Sequence, residues 1–261
     1  MAKKQIFVLQ LIFTLLVCSF LIIPVFLSAL AGITENFFFG IKSGFTLRWV
    51  FEVLDLYSET IYLSLIIAIA CLLVTLIIGI PAAYVLARIG GRISRFIEET
   101  IILPVAVPGL AIALALIILY GGYRDFRSSW YFILVGHILF TLPFMVRSVL
   151  AVLSSTNFKD LEESAASLGA PFWTRFFSIV LPNAKPGILA GSLMVFTLSI
   201  GEFNLTWMLH TPITKTLPVG LADSYASMRL EVASAYTLIF FIMIIPLLLG
   251  MQYLSRDKKY K

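Results

Sequence analysis

Three polar side chains lie in surroundings that give them potential for chemistry. Glu202, Asn204 and His137 are set within long apolar runs, and Glu202 is the acidic residue placed deepest in one. An ionised carboxylate there is costly unless it is paired or faces water. Two roles remain open for Glu202: lining a pathway with Asn204 for a cationic or metal substrate, or a structural hydrogen bond to a neighbouring helix or subunit. His137 serves either as an inter-helix packing group or in a proton or metal role.

A membrane-embedded enzyme using Glu202 and His137 as acid and base would need further groups. The sequence has no His-Glu-(two residues)-His pair, no Ser or Cys nucleophile motif and no paired carboxylates in its apolar runs. Cys18 and Cys71 both lie in apolar runs, which supports neither a disulfide framework nor a zinc site. We therefore expect no catalytic site and no metal site.

The composition is that of a membrane protein. Hydrophobic residues make up 60% of the chain and charged residues 13%, with a mean hydropathy of +1.01. Soluble domains carry about a quarter charged residues. The net charge of +5 and the pI near 9.2 could indicate nucleic-acid binding. The distribution of the basic residues argues against that, so we expect no nucleic-acid partner.

The apolar runs predict an all-α integral membrane protein that forms one six-span domain over residues 1–261. The expected spans are about 6–30, 60–86, 100–120, 130–153, 187–209 and 232–254, with a long polar loop at 154–185. A cleaved signal peptide is the alternative for the first run. That run is longer than the roughly 7–15 residues of a signal core, which favours a retained span.

The Lys and Arg residues predict the orientation. Of the 19 in the chain, thirteen lie at the two termini, around residues 88–95 and 147, and in the long polar loop, whereas six lie in the alternate loops. Basic residues accumulate in cytoplasmic loops. We therefore expect a multi-pass protein of a bacterial-type cytoplasmic membrane, with both termini and the polar loop in the cytoplasm.

The polar loop has the pattern of two short helices. Leu161, Ala165 and Leu168 share one helical face, and Glu162 and Glu163 lie near the expected helix start, where the dipole favours negative charge. Gly169 fits the residue after the helix end, and Pro171 fits the first turn of the next helix. That second helix carries its apolar residues at i, i+3, i+4 and i+7, namely Trp173, Phe176, Phe177 and Val180, and we expect Pro182 and Pro186 to end it. Periodicity alone leaves open whether the pair lies on the membrane or binds a partner.

The order of residues in this loop resembles the "EAA" loop of binding-protein-dependent importers of the ATP-binding-cassette (ABC) type. The family pattern is Glu-Ala-Ala, three residues, Gly, and later Leu-Pro. Here Glu163-Ser164-Ala165 is followed by Leu168-Gly169 and then Leu181-Pro182, with Ser164 in place of the first Ala. Two flanking motifs, Leu103-Pro104-(three residues)-Pro108-Gly109 and His137 to Phe144, extend the resemblance from about residue 60 to the chain end.

The resemblance implies a permease subunit of a type I importer rather than an enzyme. In that family the loop forms coupling helices held by an ATPase subunit; the matching residues here are Glu162, Glu163, Ser164, Ala165, Leu168, Gly169, Pro171, Trp173, Leu181 and Pro182. The chain lacks the Gly-(four residues)-Gly-Lys-Ser/Thr phosphate loop. ATP and Mg²⁺ are therefore expected on a partner ATPase dimer, and no cofactor on this chain.

The family further implies an extracytoplasmic solute-binding protein, membrane lipid and a second permease chain, expected to be a different one, although a homodimer stays open. The His137–Phe144 motif and Glu202 favour a polyamine such as spermidine or putrescine as the substrate. Importers for ferric iron, phosphonate, molybdate or sulfate are the alternatives within the family. An ATP-independent channel is the alternative outside it.

Overall fold

The computed structural model describes residues 2–255, and these are largely helical. An isolated bridge between Thr34 and Phe45 is the β pairing within that range. Met1 and the segment 256–261 lie outside the described residues, and the basic residues of that segment contribute to the predicted orientation.

The helices follow one another with short connections. In chain order they are α1 (Ala2–Ala31), α2 (Arg48–Leu56), α3 (Ser58–Ile89), α4 (Gly91–Ala106), α5 (Gly109–Tyr120), α6 (Arg124–Ser128), α7 (Trp130–Ser155), α8 (Phe158–Ser167), α9 (Phe172–Arg175), α10 (Leu181–Ile200), α11 (Asn204–Leu209), α12 (Leu217–Ala226) and α13 (Leu230–Ser255). A 3₁₀ turn occupies Gly40–Ser43, and a π-helical turn at Phe176–Val180 joins α9 to α10.

Helices of membrane-spanning length dominate the described chain. Five are long and apolar enough to cross a bilayer: Lys4–Ala31, Ser58–Ile89, Trp130–Ser155, Phe172–Ile200 and Leu230–Tyr253. The pair α4 and α5 brings the number to six if the two helices are counted as one bent span. These helices confirm the predicted all-α membrane fold.

The third predicted span, 100–120, is not one helix. Helix α4 ends at Ala106, Val107 is extended, and α5 begins at Gly109 at an angle of 98° to α4. Pro108 has no N–H to donate and disfavours helical geometry at the residue before it, so the helix breaks there. Pro104, by contrast, is accommodated inside α4.

The fifth predicted span, 187–209, is wrong at both ends. Pro182 and Pro186 do not end a helix, because the chain stays helical from Phe172 to Ile200. The wider π-helical turn before Pro182 alters the hydrogen-bond register, and the Asn183 amide donates to the Ile179 carbonyl at 2.7 Å. At the other end α10 stops at Ile200, and α11 begins only at Asn204.

The described residues form two compact units. One comprises the chain up to Ser58 together with Gly220–Ile244. Within it, Gly32 lies against the backbone of Ser234 and Ala235, where an added Cβ would approach the Ala235 nitrogen to 2.6 Å. Arg229 donates to the Glu52 carboxylate, and this hydrogen bond raises the pKa of the Arg229 guanidinium.

The other unit, Glu59–Val219 with the residues from Ile245 onward, contains the chemistry discussed below. Its core is formed by residues of α3, α5, α7, α8, α10 and α11. Gly187 and Gly191 on α10 allow a close approach to α7, since a Cβ at Gly187 would lie 2.5 Å from the Ser148 carbonyl oxygen. Small residues at such crossings are typical of packed membrane helices.

Candidate functional site

Glu202 occupies the break between α10 and α11 and caps the second helix. Its two carboxylate oxygens accept hydrogen bonds from the backbone N–H groups of Leu205 and Thr206, each at 2.9 Å, and from the Thr206 hydroxyl at 2.8 Å. The first N–H groups of a helix have no partner within it and carry partial positive charge. The start of α11 therefore compensates the Glu202 charge.

His137 on α7 joins the same hydrogen-bond network. Its Nε2 lies 2.8 Å from the Thr206 hydroxyl and its Nδ1 lies 2.8 Å from the Ser199 hydroxyl. The single Thr206 hydroxyl proton is donated to Glu202, so this oxygen accepts from His137 Nε2–H. A neutral imidazole protonated at Nε2, with Nδ1 accepting from Ser199, satisfies every group. His137 is thereby an inter-helix bonding group between α7 and the broken end of α10.

A second helix break lies beside the first. Gly109, which begins α5 after the Pro108 break, packs against α11: an added Cβ would lie 3.5 Å from the Leu205 nitrogen and 3.6 Å from the Asn204 Cβ. Two interrupted helices thus meet within this unit. Interrupted helices at membrane depth are found where the backbone is buried in protein or lines a cavity.

Of the predicted pathway residues, the structure brings Glu202 and His137 into one network and leaves the Asn204 side chain exposed. A pathway role for the three stays a prediction. Sequence analysis did not single out Ser199 and Thr206. Ser199 lies three residues before Glu202 and Thr206 four residues after it. That spacing is about one helical turn, and it is the signal that could have identified both hydroxyl groups.

The residues that resemble the coupling loop lie in and beside a coupling segment, defined here as residues 156–180. Helix α8 ends at Ser167, and Gly169 follows in the left-handed region at φ +84°. The Gly169 and Ala170 N–H groups bond to the carbonyls of Ala166 at 2.9 Å and Ala165 at 3.0 Å. This is the Schellman arrangement that glycine favours. Pro171 lies immediately before α9.

Glu162 has a different position from the one predicted. Because α8 begins at Phe158, Glu162 lies in its second turn rather than at the helix start, and its side chain is only 2% exposed. One carboxylate oxygen accepts from the Tyr84 hydroxyl and from Arg88 Nη1, both at 2.8 Å, and Arg175 Nη1 lies 3.5 Å away. The carboxylate therefore joins α8 to the end of α3 and to α9.

Aromatic packing reinforces this junction. The Tyr84 ring lies against the rings of Phe158, Phe172 and Phe176, with centroid distances of 6.3, 6.2 and 5.6 Å. The spacing of Tyr84 and Arg88, four residues apart on α3, is the pattern that could have indicated a common partner. No local sequence pattern predicts that Glu162 is that partner.

Four large apolar side chains of the coupling segment are exposed among polar neighbours. Leu168 is 90% exposed and Trp173 66% exposed, and Leu161 and Phe177 are more than half exposed. We call these four residues the apolar patch. The small residues of the motif, Ser164 and Ala165, lie on the same short helix as Leu161. Large exposed apolar side chains on a structured segment indicate a contact surface.

The described residues show no arrangement of side chains typical of a metal site. Within residues 2–255, no group of three or more His, Cys, Asp or Glu side chains is arranged to hold a metal ion. His137 is instead engaged by hydroxyl groups on both ring nitrogens.

We predict that Glu202→Gln lowers the free energy of unfolding by about 1–2 kcal/mol, because the amide nitrogen would face N–H and O–H donors at the start of α11. The measurement is thermal or denaturant unfolding of the purified full-length chain in detergent. Asn204→Ala, which changes an exposed neighbour, should stay within about 0.5 kcal/mol. Equal stability of Glu202→Gln and the parent would contradict the capping role.

The adjacent acidic residues Glu162 and Glu163 provide a matched pair. Glu162→Gln keeps the size of the side chain but leaves Arg88 and Arg175 without their countercharge, so we expect a loss of about 1.5–3 kcal/mol in unfolding free energy. Glu163→Gln alters an exposed carboxylate and should stay within about 0.5 kcal/mol. The same unfolding assay checks both, and a loss of equal size in the two variants would refute the buried junction.

Comparison with known proteins identifies the family. Residues 75–260 match the family described as "Binding-protein-dependent transport system inner membrane component". The protein of Salmonella choleraesuis named as the 2-aminoethylphosphonate transport system permease PhnV is 26% identical over 243 residues, covering 92% of this chain and 90% of the relative. The molybdenum transport system permease ModB of Haemophilus influenzae is 31% identical over 220 residues, covering 78% and 95%. The sulfate transport system permease CysW of Synechocystis is 27% identical over 192 residues, covering 68% and 69%.

The fold agrees with that of a solved transporter. A chain from the crystal structure of a bacterial ABC transporter involved in the import of the acidic polysaccharide alginate superposes with a TM-score of 0.72 at 15% identity, covering 98% of this chain and 97% of that one. The family match, the relatives and the fold lead to one conclusion: this chain belongs to the inner-membrane components of binding-protein-dependent transport systems and is a permease subunit of an ABC importer, not an enzyme.

Proposed function

We propose that this chain forms half of the membrane pathway of an importer for a small oxyanion, and that the coupling segment transmits the movement of a partner ATPase to the spans. The observation that carries the proposal is the contrast within α8. Its buried carboxylate, Glu162, anchors the helix to α3, while Leu161, and Leu168 just after the helix, are more than half exposed. A segment held firmly on one side and apolar on the other suits a docking element.

The proposed assembly has four kinds of component. An ATP-binding-cassette ATPase dimer binds the apolar patch. ATP and Mg²⁺ bind to this dimer, because the present chain lacks a phosphate loop. A second permease chain completes the pathway, and an extracytoplasmic solute-binding protein delivers the substrate. The family to which the chain belongs implies an ATPase and a binding protein in general terms. Their number and identity are part of the proposal.

We further propose that the coupling segment and both termini lie in the cytoplasm. The support is the positive-inside distribution of the Lys and Arg residues. Basic residues also surround the coupling segment: Arg88 and Arg175 contact Glu162, and the Lys159 ammonium lies 3.8 Å from the position of a Cβ on Gly90.

The substrate is where the proposal departs from the polyamine favoured by sequence analysis. The relatives are named for 2-aminoethylphosphonate, molybdenum and sulfate transport, which favours the oxyanion alternative. The geometry around Glu202 points the same way. The Glu202 carboxylate already accepts three hydrogen bonds from the start of α11, so its negative charge is compensated without a bound cation. In this proposal the pathway residues shape the helix break and do not bind a charged substrate directly; they are Glu202, Asn204 and His137.

We predict that Leu168→Asp abolishes co-purification with the ATPase, because a carboxylate placed in a buried apolar contact lacks a partner there. The assay is pull-down of the ATPase by the tagged full-length chain from solubilised membranes, with an expected loss of more than about tenfold. Tyr123→Asp, a substitution at another well-exposed apolar position outside the coupling segment, is the matched control and should retain the ATPase. Full recovery of the ATPase with Leu168→Asp would refute docking at the apolar patch.

We also predict that the solute-binding protein isolated with the importer is stabilised by an oxyanion. At a ligand concentration of 100 Kd, binding adds about 2.7 kcal/mol, which corresponds to a rise in Tm of about 5–10 °C for a domain of ordinary size. Thermal-shift measurements with 2-aminoethylphosphonate, molybdate, sulfate and spermidine decide the question. A shift with spermidine and none with the three anions would restore the polyamine interpretation.

A further inference from the structure

A cavity of about 330 Å³ opens where the end of α3, the start of α4 and the end of α7 meet. It is separate from the helix break at Glu202 and is not lined by the apolar patch. We call it the basic pocket; its lining includes Gly90, Gly91, Ser94, Arg95, Glu98 and Arg147. Its volume falls at the lower end of the range of about 300–1,000 Å³ typical of ligand sites.

The charges in the basic pocket are not balanced internally. Arg95 is exposed and makes no side-chain hydrogen bond or ion pair within residues 2–255. Arg147 Nε lies 3.6 Å from Glu98 Oε1, beyond the roughly 2.7–2.9 Å of a charge-assisted hydrogen bond, and its side chain is 59% exposed. Two guanidinium groups therefore face one carboxylate, and both retain free donors for an anion.

The remaining surroundings are apolar. Leu86 and Ala87 on α3, together with Leu150 and Ala151 on α7, complete the wall, and both helices are of membrane-spanning length. Next to the arginine on α4, Ile93 and Phe96 are exposed. A ligand bound here would meet cationic donors at one end and hydrocarbon surface at the other, which is the environment of a lipid headgroup with the start of its acyl chains.

We propose that the basic pocket binds the phosphate headgroup of an anionic phospholipid from the leaflet in which α3 and α7 end. The phosphate oxygens accept from Arg95 and Arg147, so the lipid bridges α4 to α7, and the acyl chains lie along the exposed apolar side of α4. This assignment uses only contacts within one unit of the structure. It is independent of the substrate and of the ATPase.

The test measures lipid retention by the full-length chain. The purified protein is reconstituted in nanodiscs of phosphatidylcholine with phosphatidylglycerol, extracted with mild detergent, and analysed by native mass spectrometry. We expect one phosphatidylglycerol to be retained in preference to phosphatidylcholine. At about 1 kcal/mol per basic residue near a membrane surface, Arg95→Gln should weaken retention about fivefold, and Arg95→Gln with Arg147→Gln about 30-fold.

A matched control separates the pocket from general charge. Arg92→Gln with Arg124→Gln removes the same net charge from exposed arginines that do not line the pocket, and should change retention less than twofold. Glu98→Gln should change retention in the opposite sense, since it removes the opposing carboxylate. Equal losses in the two double variants, or an unchanged Arg95→Gln, would overturn the proposal. Arg95→Gln breaks no hydrogen bond or ion pair within residues 2–255 and so keeps folding effects small.

The source of the phosphate is decided in a separate arm. Equilibrium dialysis with labelled inorganic phosphate is performed on the chain in nanodiscs of phosphatidylcholine alone. We expect no stoichiometric binding, because a free phosphate gains nothing from the apolar wall. Binding of inorganic phosphate that is lost with Arg95→Gln would identify a soluble-anion site and overturn the lipid assignment.

Discussion

The buried Glu162 carboxylate depends on the hydrogen-bond donors that surround it. A buried charge is tolerated only when it is paired and hydrogen-bonded, and here the Tyr84 hydroxyl and the Arg88 guanidinium both donate to it at 2.8 Å. The carboxylate reaches these donors only when α8 packs against the end of α3. The orientation of α8 follows, and with it the exposure of Leu161. The contacts of one buried carboxylate thus fix which side of α8 faces away from α3.

The same rule governs the interior of the spans. Breaking a helix leaves N–H and C=O groups without partners, and no water is available in a bilayer to satisfy them. At the break after Ile200, Glu202 satisfies the N–H groups of α11, and His137 connects the capped helix to α7 through Thr206. Polar residues in the apolar runs of this permease therefore stabilise irregular backbone.

The sequence predicted well those features that depend on local patterns. Long apolar runs correctly indicated the membrane helices, and a glycine after a helical pattern indicated the left-handed turn at Gly169. Features that depend on contacts distant in sequence were missed. The partner of Glu162 lies 74 residues away on α3, and no local signal distinguishes it from Glu163. The effect of proline on the helices was also predicted wrongly. Pro108 breaks a helix that was expected to be continuous. Pro182 does not end its helix, because a π-helical turn precedes it, and helix propensities do not predict such a turn.

That π-helical turn has a mechanical consequence. Because it preserves continuity, the 29 residues from Phe172 to Ile200 form one uninterrupted rod, roughly 43 Å long at 1.5 Å per residue. At that length, tilting the helix by about 5° about one end moves its other end by roughly 4 Å. Its far end, Ile200, leads directly into the break that Glu202 caps, so a tilt of this helix would reach that break.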